Sequence, residues 1–470
     1  MIMPYRTLRL TTAITAALLL PTTLQAGILS SLHPRAMAMG GVGIALPDPA
    51  LSPLINPAGL ALIEADDTVS VALPQFGVKV YDPDSMLDTI DRLQGDNDNG
   101  TIQALADAID RANQYSTRTI LTEEAFTEAA AAYDDIALKG EVVNRDLIQL
   151  DSAPLFADLA ATVALAVPSP SWGYALHLGA GGRVGGYLLY RDANTFDNLL
   201  DDVGLFANCL RSAPSNNAST IIDACNNQNY TYINPAATEV DDIMKFDTDD
   251  DIKSEINARG YLISEIGVSL ANQYIFNGRQ VAIGITPKSW QVSAIHYRAT
   301  VQDGDFDSDT LDSDDYLAEH NAFNLDLGMM MPLDDQITVG VAIQNLIPQS
   351  FDYFNQTLPA GVSPGSLEID PMITAGIAYR GNGYTLAADL DLTEDKGFEG
   401  LDGSRVLGLG GEINGWRYVQ LRAGYRTDLS QSGRDSLSLG LGLRIGLELD
   451  LAAVASDNEL GGAMRLGFGW

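Results

Sequence analysis

From Phe323 to the C-terminus apolar and polar residues alternate with a period of two, the mark of strands that keep one apolar face. Tyr384, Leu386, Ala388, Leu390 and Leu392 fall on one face, with Thr385, Ala387, Asp389 and Asp391 between them. Val419, Leu421, Ala423 and Tyr425 alternate likewise with Gln420, Arg422, Gly424 and Arg426, and Leu437, Leu439, Leu441 and Leu443 with Ser436, Ser438, Gly440 and Gly442. Leu447, Leu449 and Leu451 enclose Glu448 and Asp450. Along the whole chain the pattern predicts fourteen strands, near 68–80, 154–167, 172–190, 259–275, 279–300, 319–331, 335–347, 368–380, 383–393, 404–413, 416–428, 435–445, 447–456 and 461–470.

A soluble sandwich alternates too, and the connections separate the two cases. Even-numbered strands lead into tight turns such as Pro168 to Ser171, Asn277-Gly278, Pro332 to Asp334, Gly381 to Gly383 and Asn414-Gly415. Odd-numbered strands lead into long loops, including 81–153, 191–258, 301–318, 348–367 and 394–403. A sandwich has no reason to sort its loops by parity, whereas an outer-membrane barrel pairs short periplasmic turns with longer external loops. The predicted fold class is therefore all-β: a transmembrane antiparallel β-barrel of about 14 strands in the Gram-negative outer membrane, with lipid around it. Trp172, Phe276, Tyr379, Tyr384, Trp416 and Trp470 fall at the periplasmic strand ends and Tyr81, Tyr190, Tyr297 and Tyr425 toward the other ends, which predicts two aromatic girdles.

Two insertions break the pattern. In 85–150 the period becomes helical, with Ile102, Leu105, Ile109 and Ala112 on one face and Ser85 with Asp88 as a capping box. Residues 191–258 mix Asn, Ser, Asp and both cysteines and read as a partly helical external loop. Three further divisions follow: a signal peptide over 1–26, an N-terminal plug over 27–62, and the barrel over 63–470. The signal reading rests on Arg6 and Arg9, the apolar run Leu10 to Leu20, and Leu24-Gln25-Ala26 as a cleavage site.

Composition narrows the function. Sixty-two Asp and Glu against 27 Lys and Arg leave a formal charge of -35, which excludes nucleic acid as a partner, since a phosphate backbone needs a basic surface to displace its counterions. An apolar fraction of 46% excludes a disordered chain, and no run beyond residue 26 approaches the roughly 18 apolar residues of a membrane helix. Cys209 and Cys225 are the only cysteines; in an exported protein a disulfide is favoured, and the spacing is not that of a redox pair.

Of the four histidines, His33 lies near the N-terminus, His177 on the lumen side of the third strand, and His296 and His320 flank one external loop. None has a nucleophile motif beside it, so no enzyme, catalytic residue, cofactor or metal site is assigned. Asp326, Asp389, Asp391, Arg422, Arg426, Arg444, Glu448 and Asp450 face the lumen in both signs, as a cross-strand ion-pair ladder or as a solute-selecting ring. Acidic runs fill two loops, Asp247 with Asp249 to Asp251, and Asp303, Asp305, Asp307, Asp309, Asp312, Asp314 and Asp315. The second run departs from a calcium loop at Ser308 and Asp314, so solvated loops are favoured over calcium bridging.

The most specific signal is Pro34 to Ala45, then Asp48-Pro49-Ala50, then Asn56-Pro57-Ala58-Gly59-Leu60. It resembles the N-terminal hatch of FadL-type outer-membrane transporters of hydrophobic compounds, with Arg35, Gly40, Gly41, Gly43, Asn56, Pro57, Ala58 and Gly59 at the matching positions. Small residues fold tightly in a lumen, glycines tolerate positive φ, and Asn56 caps a turn begun by Pro57. The hatch, the helical insertion, Trp416 to Arg426 and Asp450 to Asn458 are similar to exported conjugal-transfer TraF-type barrels, which are distinct from the thioredoxin-like proteins of that name.

The resemblance implies a channel for small hydrophobic compounds, with an apolar pocket and a movable hatch. It also implies a lateral opening at a kinked third strand, here at Gly179, Gly181, Gly182, Gly185 and Gly186. The plainer alternative is that those glycines make room for the hatch. The alternative function is a non-transporting assembly or adhesion component, such as part of a conjugative apparatus, whose external helices bind a protein.

Overall fold

The computed structural model describes residues 28–469 except 64–68, 96–99, 117–122, 213–224, 226–228, 234–252, 301–315, 354–365, 396–402, 415, 417 and 431–433. Residues 1–26, both acidic runs (apart from the residues around them), Gly415 and Trp470 therefore lie outside the described residues. Fourteen strands close an antiparallel barrel. They are β1 (Ser70–Tyr81), β2 (Leu155–Val167), β3 (Gly173–Leu189), β4 (Glu255–Phe276), β5 (Arg279–Thr300), β6 (Leu317–Pro332) and β7 (Ile337–Gln344), followed by β10 (Met372–Gly381) and β11 (Tyr384–Asp391). The circuit ends with β12 (Val406–Ile413), β13 (Val419–Asp428), β14 (Ser436–Arg444), β15 (Glu448–Ala455) and β16 (Glu459–Gly469), which pairs with β1. A separate two-stranded sheet, β8 (Gln349–Asp352) and β9 (Ser366–Ile369), lies in the loop after β7.

The inversion of burial shows which solvent surrounds the wall. Leu439 is 67% and Leu386 54% exposed on the outer face, while Asp450 and Arg422 inside are 0% and 3%. A water-soluble fold buries the leucines and exposes the charges; a barrel in hydrocarbon does the reverse. The alternation over 384–392 sets this directly, with Thr385, Ala387 and Asp389 buried and Tyr384 and Leu386 exposed. The hairpin Asn277-Gly278 joins β4 to β5 with φ of 50° and 77°, the left-handed pair that a two-residue turn between twisted strands requires.

The wall is uneven in height. A strand of about 9–11 residues crosses a bilayer; β10 to β16 have 8–11, whereas β3, β4 and β5 have 17, 22 and 22. The tall side rises at the long-loop end and supports helices. Met86, Ile90 and Leu93 of the helix Met86–Gln94, with Val143 and Leu150 of Glu123–Leu150, pack on Leu155 and Leu188. Thr101–Ser116 lies between those two helices in sequence, and Ala193–Ser212 packs Val203 and Phe206 against Ala129 and Ala130. Cys209 and Cys225 are joined by a disulfide in the same cluster.

Several expectations are corrected. Ser85 does not cap the first of these helices: it takes φ 55° with no cap bond, and the Asp82 carboxylate accepts from Met86 N and Leu87 N at 2.6 and 3.0 Å. The second aromatic girdle forms only in part: Tyr425 is exposed on the outer face, whereas Tyr297 is buried against Tyr316 and the Tyr190 hydroxyl donates to Asn144 of the helix Glu123–Leu150. The 348–367 loop contains β8 and β9, whose Phe351 and Leu367 pack inward with Tyr261, Trp290 and Val292.

Candidate functional site

Three short helices, Ile28–Ser31, Pro34–Ala38 and Ser52–Ile55, and a 3-10 turn, Pro57–Ala61, fold inside the barrel. His33 starts the second helix, its Nδ1 accepting from Arg35 N at 3.2 Å. Gly40 and Gly41 reverse the chain with φ of 71° and 88°, and the Asn56 side chain accepts from Ala58 N at 3.2 Å to open the 3-10 turn. The segment approaches the wall closely because the wall offers glycines. A Cβ on Gly424 would meet Gly40 N at 2.0 Å, and one on Gly284 would meet Ala58 N at 2.4 Å.

Polar ties hold the hatch on two sides. On one, Gln344 Nε2 donates to Leu54 O at 2.7 Å, Gln273 Nε2 to Ala61 O at 2.9 Å, and Asn56 Nδ2 to Met329 O at 3.3 Å and Val341 O at 3.4 Å. On the other, Asp389 Oδ2 accepts from Gly43 N and Ile44 N at 2.6 and 2.9 Å, and Gly40 N donates to Ser438 Oγ at 3.1 Å. Arg35 bridges Asp48 within the hatch at 2.7 Å and Glu412 on β12 at 3.1 Å.

Glu412 opens a cross-strand network. Arg422 pairs with Glu412 at 2.7 Å and Asp450 at 2.6 Å; Arg465 pairs with Asp450 at 2.6 Å and Glu448 at 2.8 Å; Arg444 reaches Asp450 at 3.2 Å. With so many carboxylates shared, each buried charge has a partner, the condition for burying ions at tolerable cost. Burial acts to raise the Asp48 carboxyl, but the Arg35 and Arg465 guanidiniums hold it well below its usual range. Burial, helped by Arg465, lowers the His33 imidazole to about 3.

A second cluster lines β3 to β6. Glu265 accepts from Trp290 Nε1 at 2.6 Å, bonds His177 Nε2 at 2.7 Å and pairs with Lys288 at 3.4 Å; Lys288 pairs with Asp326 at 2.9 Å. His296 accepts from Arg259 Nε at 3.2 Å and meets the Tyr353 ring edge-on, while the His320 ring bonds Asp352 O at 2.8 Å.

Above the hatch lies a cavity of about 180 Å³. Its floor is hatch residues including Met37, Gly40 and Ile44; its walls include Val406 and Met372 but also Lys79, Asp158, Arg183, Asp389, Asp391, Arg426 and Glu459. An apolar pocket is thus replaced by an amphipathic chamber. Asp158 holds Arg183 at 2.6 Å and Lys79 at 3.7 Å; Asp391 accepts from Thr374 Oγ1 at 2.8 Å and Val406 N at 3.1 Å.

The third-strand glycines sit in an unbroken ladder. β3 pairs with β2 from Gly186 to Tyr174, and with β4 over its full length, without a register shift. Gly181 and Gly182 are buried in it, Gly179 faces Leu29 of the hatch, Gly185 faces the Phe156 ring, and Gly186 lies near Asn257 O. The irregularity is in β1 instead, between Ala72 and Gln75, against both neighbours. Pro74 occupies that stretch and has no N–H to give to the ladder.

Alternation identified Asp389, Asp391, Arg422, Arg426, Arg444, Glu448, Asp450 and Asp326 as inward-facing. Residue-by-residue reading missed Glu412, Arg465, Arg183, Asp158, Lys79, Glu265 and Lys288. Each stands at an inward position of its strand, so the same period would have found them. Only the closed circuit, however, shows which charges meet.

A closed fourteen-stranded barrel with a folded N-terminal segment in its lumen defines the class. Residues 53–391, more than half of the chain, match the sequence profile of the F plasmid transfer operon TraF protein, and the chain belongs to that family. Among solved structures it is similar to the Ralstonia pickettii toluene transporter TbuX, at 12% identity and a TM-score of 0.44, covering 94% of this chain and 99% of that one. It is likewise similar to a Pseudomonas aeruginosa FadL homologue (12% identity, TM-score 0.43, 96% and 98% covered) and to the Pseudomonas putida toluene transporter TodX (9%, 0.42, 95% and 97%). No curated protein matches the sequence.

Proposed function

We propose that this protein is an outer-membrane channel for small hydrophobic compounds, closed by its own N-terminal hatch. The observation that carries this reading is how the hatch is held. It meets the wall through hydrogen bonds, an Arg35–Glu412 ion pair, glycine contacts and apolar packing such as Leu60 with Ala271 and Met330, and among the described residues it joins no strand ladder. The polar ties can exchange with water one at a time and the apolar contacts are between side chains, so the segment is able to move without unpairing a strand of the barrel. The loop-end helices face outward in this reading and the short turns face the periplasm.

Deletion of 35–59 tests it. In proteoliposomes the deleted barrel should still show heat-dependent mobility and should admit small sugars that the full chain excludes. A folded barrel whose permeability to sugars and toluene is unchanged would defeat the channel reading.

Family membership supports a second reading, a component of a transfer apparatus with 85–150 as its protein-binding surface. Deleting 85–150 should then abolish a partner complex and leave permeability alone.

A further inference from the structure

The chamber above the hatch holds two polar groups of opposite sign that the fold leaves unanswered. Asp389 is 7% exposed; its Oδ2 takes the Gly43 and Ile44 amides, but its Oδ1 is buried with no hydrogen-bond partner among the described residues. Arg426 lines the same chamber and makes no hydrogen bond or ion pair with any described residue, acting on Asp158, Asp391 and Glu459 through its field alone. By contrast, Lys79 and Arg183 are paired with Asp158, and Asp391 has both oxygens occupied.

Asp389, Gly408 and Arg426 form one cross-strand row on β11, β12 and β13. Strands lie about 4.8 Å apart, so the acid and the base start roughly 10 Å from each other with a side-chain-free residue between them. Beside the row stand Ile44, Val406 and Met372. A cavity of about 150 Å³ accepts a benzene ring, and this chamber is about 180 Å³. The unsatisfied buried acceptor is costly, the half-buried guanidinium has no partner among the described residues, and a ligand bearing both complementary charges answers both at once.

We propose that the chamber is a binding site for a small zwitterion with an apolar body, its ammonium at Asp389 and its carboxylate at Arg426. This deepens the channel reading, on which it rests for the route by which such a solute arrives. Hydrocarbons enter the same chamber less tightly, because they leave both polar groups unanswered.

Four probes of one shape test the site: phenylglycine, benzylamine, phenylacetate and toluene, titrated calorimetrically into the full chain in detergent. Phenylglycine is expected to bind at least tenfold more tightly than the other three. Arg426→Gln, which breaks no hydrogen bond or ion pair among the described residues, should bring phenylglycine down to the benzylamine level. Asp389→Asn should bring it to the phenylacetate level. Phenylglycine binding no tighter than toluene, or an Arg426→Gln variant that binds it as the parent does, would overturn the site. Toluene flux into proteoliposomes separates the two claims. Flux without phenylglycine preference sinks this inference alone, whereas phenylglycine binding without any flux sinks the channel and leaves the site standing.

Discussion

Gly424 and Gly411 show how single positions decide whether a lumen can be filled. Both are in strands of the barrel wall, yet a Cβ on Gly424 would meet Gly40 N at 2.0 Å, while the nearest atom to one on Gly411 is 3.5 Å away. Gly424→Ala should therefore displace the hatch, raising protease cleavage within 35–45 while the barrel keeps its heat-dependent mobility; Gly411→Ala should do neither. Equal cleavage in both variants would mean that the close approach is unimportant. His33 adds a pH dependence. Held neutral in the fold down to about 3, it is protonated in the unfolded segment below about 6.5, so its contribution is complete above that value and falls away as pH drops from 6.5 toward 3. The loss reaches about 3 kcal/mol at pH 4, and hatch proteolysis should rise over that interval. His33→Gln should flatten the rise between pH 6.5 and 4.5; Asp48, held low by Arg35, should dominate only below about pH 4.

At the scale of elements, the disulfide belongs to the external loop 191–258, packed on the helix Glu123–Leu150, and not to the barrel. Cys225 packs with Phe206, Ala129 and Ala130 and is tied to the end of Ala193–Ser212. A crosslink across 16 residues restrains the open chain by about 3 kcal/mol in the loop-entropy model. Cys225→Ser should speed amide exchange in 193–212 and 127–140 by about tenfold or more and leave the strands unchanged. Exchange that stays slow there would assign the hold to Phe206 and its neighbours alone. The strands and tight turns were legible because period and turn residues are local properties. The cap of Met86–Gln94 was not: Ser85 and Asp88 fit a capping pattern, but the αL geometry at Ser85 hands the role to Asp82. β8 and β9 were also missed, since four-residue strands offer too short a run for a period to register.

For the whole molecule, apolar outside and charged inside is stable only in lipid or detergent. Unboiled protein should migrate at a different apparent mass from boiled protein and fractionate with outer membranes; recovery as a soluble periplasmic species would contradict the barrel in lipid. The network from Arg35 to Arg465 joins hatch to wall, so Arg422→Met, which leaves Glu412 to Arg35 and Asp450 to Arg465 and Arg444, should cost about 1.5–3 kcal/mol and lower the temperature at which the compact band is lost.

What this sequence determined by itself was everything carried by near neighbours: the alternation that sorts each strand into lipid and lumen faces, the parity of loop lengths that closes fourteen strands, the Gly40-Gly41 reversal, and the Asn56-Pro57 turn. Tertiary structure alone decided what depends on residues hundreds of positions apart. Alternation places Asp389 inside but cannot say that it grips Gly43 and Ile44. It places Arg422 and Arg426 on one face of one strand but cannot say that the first is enclosed by Glu412 and Asp450 while the second lines the chamber with no partner among the described residues. Which inward charges meet is set by register around a closed wall and by the hatch packed against it, and neither leaves a periodic trace in the chain.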